Sequence, residues 1–426
     1  MLSRVRLRPC FPRGNSAYTG FVYNRCVHPK PARDGADPSE LPSASRALAG
    51  FLLSGLLFGF LGAILPAWGY HATTEFGTVG NFFLSMGAGV VIGTDLAARM
   101  LPRQPLIRLL TFSCFLACAA LLYLGLIPPL AHPFWRAGGL LAMGFAAGSL
   151  NTALFQAIAP AYDRDPAATV NVGGIFFGLG CLLLAVLVAG TFYAYTLPSI
   201  LVLIAVIPGF FAVWYSRSTF PAPAALPPPT LAQTLQDFRN FRAVLFALLL
   251  FFQFGNEWSI AGWLPIFLIR RLGVSPSASL IMLAMYWLFL LLGRLAAVGL
   301  LPRIRHGRIL VMSAGAALFG CVILLATNNV PGAMVGLFLV GGGFATIYPL
   351  ATESIGHRFR YSHPARFSGI FSLALTGGMT APWVLGHAAQ VWGVGAVMGF
   401  PLIGTCLVFA LILLIWLEAK LSGDAA

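Results

Sequence analysis

The chain has 426 residues, 58% of them apolar and only 9% charged, with a formal net charge of +14 and a mean hydropathy of +0.85. A soluble domain carries about 25% charged residues, so this chain has too little polar surface to cover itself in water and must use lipid as its main solvent. The positive charge does not point to nucleic acid, because the basic residues are dispersed between apolar runs and form no single basic face.

Residues 1–46 are polar and Arg-rich, with no acid before Asp34 and no continuous apolar core of the signal-peptide kind. They faintly suggest an organellar presequence, but read better as a disordered cytoplasmic tail or as a start assigned too early. Only Lys30 and Lys420 are lysines. Arginine, alanine, glycine and proline dominate instead, as in a GC-rich and so bacterial genome.

Apolar stretches then recur, each near the ~20 residues that cross a ~30 Å hydrocarbon core as a helix. They predict twelve crossings, at 47–68, 78–98, 106–126, 134–158, 168–189, 194–215, 243–268, 276–298, 308–327, 332–354, 366–388 and 394–417. An even count places both termini on one side. With that side cytoplasmic, the inner loops hold Arg99, Arg103, Arg164, Arg217, Arg239, Arg303, Arg305, Arg308, Arg358 and Arg360, whereas the outer loops hold Arg136, Arg270 and Arg271. Positive charge stays inside, so both ends are expected in the cytoplasm, in a bacterial plasma (inner) membrane.

Prolines in residues 218–240 interrupt any helix there, making 217–242 the expected linker between bundles at 47–216 and 243–417, with a short tail at 418–426. The halves echo each other. GTDLAARMLPR (93–103) aligns with GRLAAVGLLPR (293–303), GFA (144–146) with GFA (343–345), Leu65-Pro66 with Leu264-Pro265, and GIF (174–176) with GIF (369–371). Four matches in one order, at offsets of 195 to 200, indicate a duplication. Two related six-helix halves are an architecture of secondary carriers.

The segments after crossings 2 and 8 resemble the cytoplasmic loop signature of the major facilitator superfamily, a glycine followed by an acid and several basic residues. The first copy keeps Gly93, Asp95, Arg99 and Arg103 but lacks the second glycine and the Arg directly after the acid. The second keeps Gly293, Arg294, Arg303, Gly307 and Arg308. Within that superfamily, NVGGIFFGLG (171–180), FGNEWSIAGWLP (254–265) and FATIYPLATE (344–353) are most similar to the fucose–proton symporter group. The resemblance implies an all-α membrane protein of twelve transmembrane helices in two pseudo-symmetric six-helix bundles. It also implies secondary transport of a small polar solute such as a sugar, by alternating access and with protons. Members of that group commonly carry acids in crossings 1 and 4. Here crossing 1 has none and crossing 4 has Asn151 and Gln156.

Glu257 is the only acid well inside an apolar span, where a charged group costs about 2.5–3.5 kcal/mol on insertion scales. It is the candidate proton carrier or acceptor for substrate hydroxyls; its alternative role is a carboxylate locked by a neighbouring helix. Gln253, Asn256, Glu257, Ile260 and Trp263 share one helical stripe, and a polar stripe in lipid must face protein or water. Trp263 reads either as a sugar-stacking indole or as an interfacial anchor. Asn151 and Gln156 are further cavity candidates, as are Tyr286 and Trp287 of crossing 8, with core packing as the alternative. Asn81, Asn171 and the hydroxyl stripes Ser149–Thr152 and Ser368–Ser372–Thr376 are weaker candidates, since such hydroxyls commonly bond their own helix.

Asp95, Arg99, Arg103, Arg294, Arg303 and Glu353 are expected at cytoplasmic helix ends, as ion pairs that form and break with the transport cycle. Glu353 with Arg294 or Arg303 is the leading pair; the alternative is plain positive-inside anchoring. No catalytic residue, cofactor or metal site is expected. Cys114 and Cys118 stand i, i+4 without a His, Asp or Glu companion, and the histidines are scattered. The glycine clusters form no Walker loop, which argues against ATP-driven transport. Expected partners are a small solute, H+ and the bilayer, and the chain is expected to be a monomer. The competing reading in the same class is a drug or metabolite exporter, favoured by the acid-poor, aromatic first half. A non-transporting sensor or membrane enzyme ranks below both.

Overall fold

The computed structural model describes residues 40–129, 131–159, 166–220, 238–300, 303–358 and 369–421. Among them every regular element is an α-helix. The first half comprises α1 (Glu40–Ile64), α2 (Phe76–Met100), α3 (Leu106–Leu126), α4 (Pro133–Ala157), α5 (Pro166–Thr191) and α6 (Leu197–Ser216). The second comprises α7 (Phe241–Leu272), α8 (Pro276–Leu300), α9 (His306–Ala326), α10 (Val330–Phe344), α11 (Ile347–Arg358), α12 (Gly369–Trp392) and α13 (Ala396–Leu421).

Among the described residues, eleven helical stretches are long and apolar enough to cross a bilayer, with α10 and α11 counting as one. The twelfth crossing is α12, 24 residues long. It carries Ser372, Thr376, Thr380, His387 and Gln390 among its apolar residues and packs on α2 and α7, protein surfaces on which hydroxyl and amide groups find partners that lipid lacks.

Several boundaries differ from the expected ones. Helix α1 begins at Glu40, ahead of the expected crossing, and α13 continues through 418–421. The rest of the expected N-terminal tail, most of the linker (221–237) and residues 422–426 lie outside the described residues. The tenth crossing breaks at Ala345–Thr346 because Pro349 has no N–H to offer the Ala345 carbonyl, and its ring crowds that carbonyl.

Local chemistry sets the other ends. Asn240 caps α7 by accepting from Arg242 N at 3.0 Å, and Asn329 caps α10 by accepting from Gly332 N at 2.8 Å. α7 stops at Gly273, whose φ of 66° suits the left-handed C-terminal cap.

In each half, helices related by the repeat pack alike. A Cβ on Gly144 of α4 would overlap the Met86 carbonyl of α2, and one on Gly341 of α10 would lie 2.8 Å from the Tyr286 carbonyl of α8. Glycine on both occasions lets two backbones approach, as membrane helices need when no water drives them together. Large apolar side chains on α3, α6, α9 and α13 (among them Phe115, Phe210, Phe319 and Leu414) face outward and make the lipid surface.

We call the face at which α1 begins the near side, and its opposite the far side. The halves meet where α2 packs on α12, α5 on α8 and α11, and α1 on α7. On the far side, Gly77 N donates to Gln390 Oε1 at 2.9 Å, Ser277 Oγ to the Ala189 carbonyl at 3.0 Å, and Arg270 Nη2 to the Thr73 carbonyl at 2.6 Å.

A candidate solute cavity between the halves

A cavity of about 120 Å³ lies between the two bundles. Its wall runs from Phe58 and Trp258 at mid-depth to Ile158, just past the end of α4, and Thr169 and Val170 in the first turns of α5. It therefore reaches the near side. A second, apolar lobe shares Phe58, Phe254, Trp258 and Leu375 with it and extends toward Phe83 and Met86 of α2.

The three stretches that carried the family resemblance converge on this cavity. The first contributes Gly173, Gly174 and Phe177, the second Phe254, Glu257 and Trp258, and the third Tyr348. Glu257 lies 16 residues into the 32-residue α7, at mid-helix.

The stripe around Glu257 divides between neighbours. Asn256 turns to α13, where its Nδ2 donates to Thr405 Oγ1 at 3.3 Å. Gln253 is wholly buried and its carboxamide atoms make no geometrically sound hydrogen bond. Trp263 is buried too, away from both cavity and interface with lipid. Its Nε1 donates to the Pro382 carbonyl at 3.1 Å, and its ring stacks on Phe83 with centroids 5.9 Å apart. It is a far-side plug between α2, α7 and α12, neither a lining residue nor a membrane anchor.

Asn151 does line the cavity, and its Oδ1 accepts from Ser54 Oγ of α1 at 3.3 Å. Gln156 is half-buried outside the lining, one residue beyond Phe155, which is part of it. Tyr286 and Trp287 are buried in the core against each other at 5.2 Å and do not line it. The hydroxyls behave as structural groups: Thr152 Oγ1 donates to the Gly148 carbonyl, Thr376 Oγ1 to that of Ser372, and Ser149 Oγ to that of Gly93 on α2. Ser368 lies outside the described residues.

Arg294 departs most from expectation. It is only 6% exposed, lines the cavity with Glu257, and does not sit at a helix end with Glu353. Its Nη1 occupies the space that a Cβ on Gly174 would fill, and its backbone carbonyl accepts from Asn171 Nδ2 at 3.1 Å. Glu353 instead pairs with His306 Nδ1 at 3.2 Å. Asp95 and Arg99 form an exposed i, i+4 pair at 2.9 Å within α2. Arg103 and Arg303 are exposed in the loops after α2 and α8. The expected ring of gating pairs is thus not assembled among the described residues.

The fold is shared with solved carriers. The Escherichia coli fucose:proton symporter, in the outward conformation, matches with a TM-score of 0.65 at 14% identity, covering 88% of this chain and 99% of that one. The nucleoside transporter NupG gives 0.64 at 14% identity over 90% and 100%. The human organic anion transporter MFSD10 gives 0.60 at 14% over 88% and 100%. At such identities the likeness is one of fold.

In sequence, an uncharacterised MFS-type transporter of Yersinia pestis is 23% identical over 151 residues, 35% of this chain and 39% of that protein. The membrane protein MosC of Rhizobium meliloti is 21% identical over 164 residues, 38% and 40%. The matched region thus spans about two fifths of either relative. The model of the Major Facilitator Superfamily matches residues 164–382, just over half of the chain and across the junction of its halves. With that match and twelve crossings in two bundles, the chain belongs to the Major Facilitator Superfamily.

Proposed function

We propose that this protein is a secondary active carrier that moves a small polar solute, such as a sugar or related metabolite, by alternating access and in company with protons. The observation that carries the reading is Glu257, a carboxylate at the middle of a membrane-spanning helix and in the wall of a cavity shared by both halves. A lone acid at that depth costs energy that a purely structural helix avoids, and a cavity reaching one side gives it a route to solvent. The fucose:proton symporter and NupG, whose fold this chain shares, are carriers of polar ring-shaped solutes by their names.

In the orientation favoured by the arginines, the near side is the cytoplasm of a bacterial inner membrane. The division into an N-terminal tail, two bundles, a linker and a C-terminal tail then puts both tails and the linker on that side. The gate belongs to the same proposal: Glu353 beside His306, and Asp95 paired with Arg99, stand on the near-side parts of their helices.

Uptake of labelled sugars into proteoliposomes, with and without an imposed pH gradient, tests the reading. Gradient-driven accumulation is expected, and Glu257→Gln should abolish it while leaving solute exchange across a balanced gradient. Absence of uptake together with expulsion of lipophilic cations overturns the importer. Export is the second reading, and the aromatic walls of Phe51, Phe58, Phe155, Phe177 and Trp258 favour it.

A further inference from the structure

Arg294 is a buried cation whose opposite charge, Glu257, stands apart from it in the same cavity. Among the described residues no acid lies within ion-pairing distance, and its Nε has no hydrogen-bond partner. A buried charge out of contact with its partner is costly, and a guest that pairs with it relieves that cost. Gly174, lacking a side chain, leaves the guanidinium its place against α5, and Asn171 fixes the turn of α8 from which it projects. Glu257 shares the cavity but does not touch it. A gap lined by one cation and one acid, closed in by aromatic rings, is therefore left for a guest.

We infer that the solute is a ring-bearing monocarboxylate whose carboxylate is held by Arg294, and that it enters together with one proton carried on Glu257. The planar guanidinium fork matches a carboxylate with two parallel hydrogen bonds. Phe51, Phe155 and Trp258 offer flat faces to the ring, and Asn151 offers an amide to a hydroxyl.

Charge conservation fixes the proton. The empty cavity holds Arg294 positive and Glu257 negative, summing to zero. An added carboxylate leaves an excess negative charge in a low-dielectric site unless a proton from water binds a Glu257 carboxylate oxygen, which restores zero. The other titratable groups near the pair, Cys181 on α5, Tyr286 on α8 and Tyr348 on α11, are ordinarily neutral at physiological pH. Anion and proton therefore cross together, one for one, and no net charge moves.

The inference rests on the carrier reading above, and one preparation separates the two. Proteoliposomes holding the full chain are offered labelled glucuronate and galacturonate, each beside its neutral counterpart, glucose and galactose, under an imposed pH gradient. They are then offered the same solutes under a membrane potential of either sign.

The acid of at least one pair should accumulate about tenfold faster than its neutral counterpart, respond to the pH gradient and ignore the potential. Arg294→Gln should weaken it ~30-fold or more, the usual cost of removing one partner of a buried charge pair. Should that variant fail to fold, Arg294→Lys decides: it keeps the charge and hence the preference for acid, but loses the fork and some affinity.

Accumulation of the neutral solutes in preference to the acids overturns the inference and leaves the carrier standing. Uptake of an acid that follows the potential overturns the one-for-one proton. Uptake of none of the four overturns the inference as well, with the carrier then judged on the lipophilic cations.

Discussion

Asn81 Oδ1 of α2 accepts the Trp383 Nε1–H of α12 at 3.1 Å, across the boundary between the two halves. His387 Nε2 lies 3.3 Å from the same oxygen. Just before Asn81 in the chain, a Cβ on Gly80 would stand 2.8 Å from the Trp383 carbonyl. The far side is held shut by a close backbone crossing and a small set of hydrogen bonds, and a device of that kind can be opened by adding bulk.

Gly80→Leu should therefore arrest the protein with its far side open. A cysteine introduced at Gly77 would then react with a membrane-impermeant thiol reagent from that side, and net uptake should fall about tenfold or more, the effect of shifting a two-state balance by ~1.4 kcal/mol. Asn81→Ala should act in the same direction but less, since interhelical hydrogen bonds in membranes average ~0.6 kcal/mol. Unchanged labelling in Gly80→Leu would deny the α2–α12 crossing a gating role.

Trp263→Phe keeps the ring that stacks on Phe83 and removes only the donor to the Pro382 carbonyl. A small fall in Tm is expected, on the order of 1 kcal/mol in stability, with solute affinity unchanged. Trp263→Ala should lower Tm further, because the plug then leaves a void. Lost affinity at unaltered Tm would return Trp263 to the binding surface.

Gly174→Ala places a methyl group where Arg294 Nη1 now lies. The guanidinium must swing away, so solute affinity should drop with folding little changed. Size-exclusion profile and Tm establish the second half of that statement, and equilibrium binding of labelled solute the first. A variant that binds as the parent does would mean that Arg294 has a second place to rest, and that its aim is not fixed by α5.

Glu353→Gln removes the charge that faces His306 at 3.2 Å. The pair is half-exposed at a helix end, so its loss should cost no more than ~1 kcal/mol of stability. Its effect is expected on the rate of exchange between near-open and near-closed states. Single-turnover uptake and steady-state exchange, compared in one preparation, read that rate directly.

The crossings were legible from sequence because lipid imposes a length and a composition on each one, and the duplication was legible because α2 and α8 retain matching segments. Facing was not. The stripe from Gln253 to Trp263 spans enough of the α7 circumference to meet several neighbours, and nothing in the order of residues says that Glu257 meets the cavity while Asn256 meets Thr405 and Trp263 meets Pro382.

Arg294 was misread for a related reason. It stands in a segment resembling a loop signature, yet α8 runs on to Leu300, six residues or ~9 Å beyond it. A residue that deep belongs to the membrane interior. The absence of a side chain at Gly174, more than a hundred residues earlier, is what gives it room.

The break that Pro349 makes in the tenth crossing has a mechanical consequence. A continuous helix transmits bending and torque along its whole length; an interrupted one does not. α11 carries Tyr348 in the cavity wall at its start and Glu353, beside His306, at its middle. Its twelve residues form a short lever on a pivot at Ala345–Thr346, so a pull on that near-side contact reaches the cavity wall without tilting the half-membrane of helix above it.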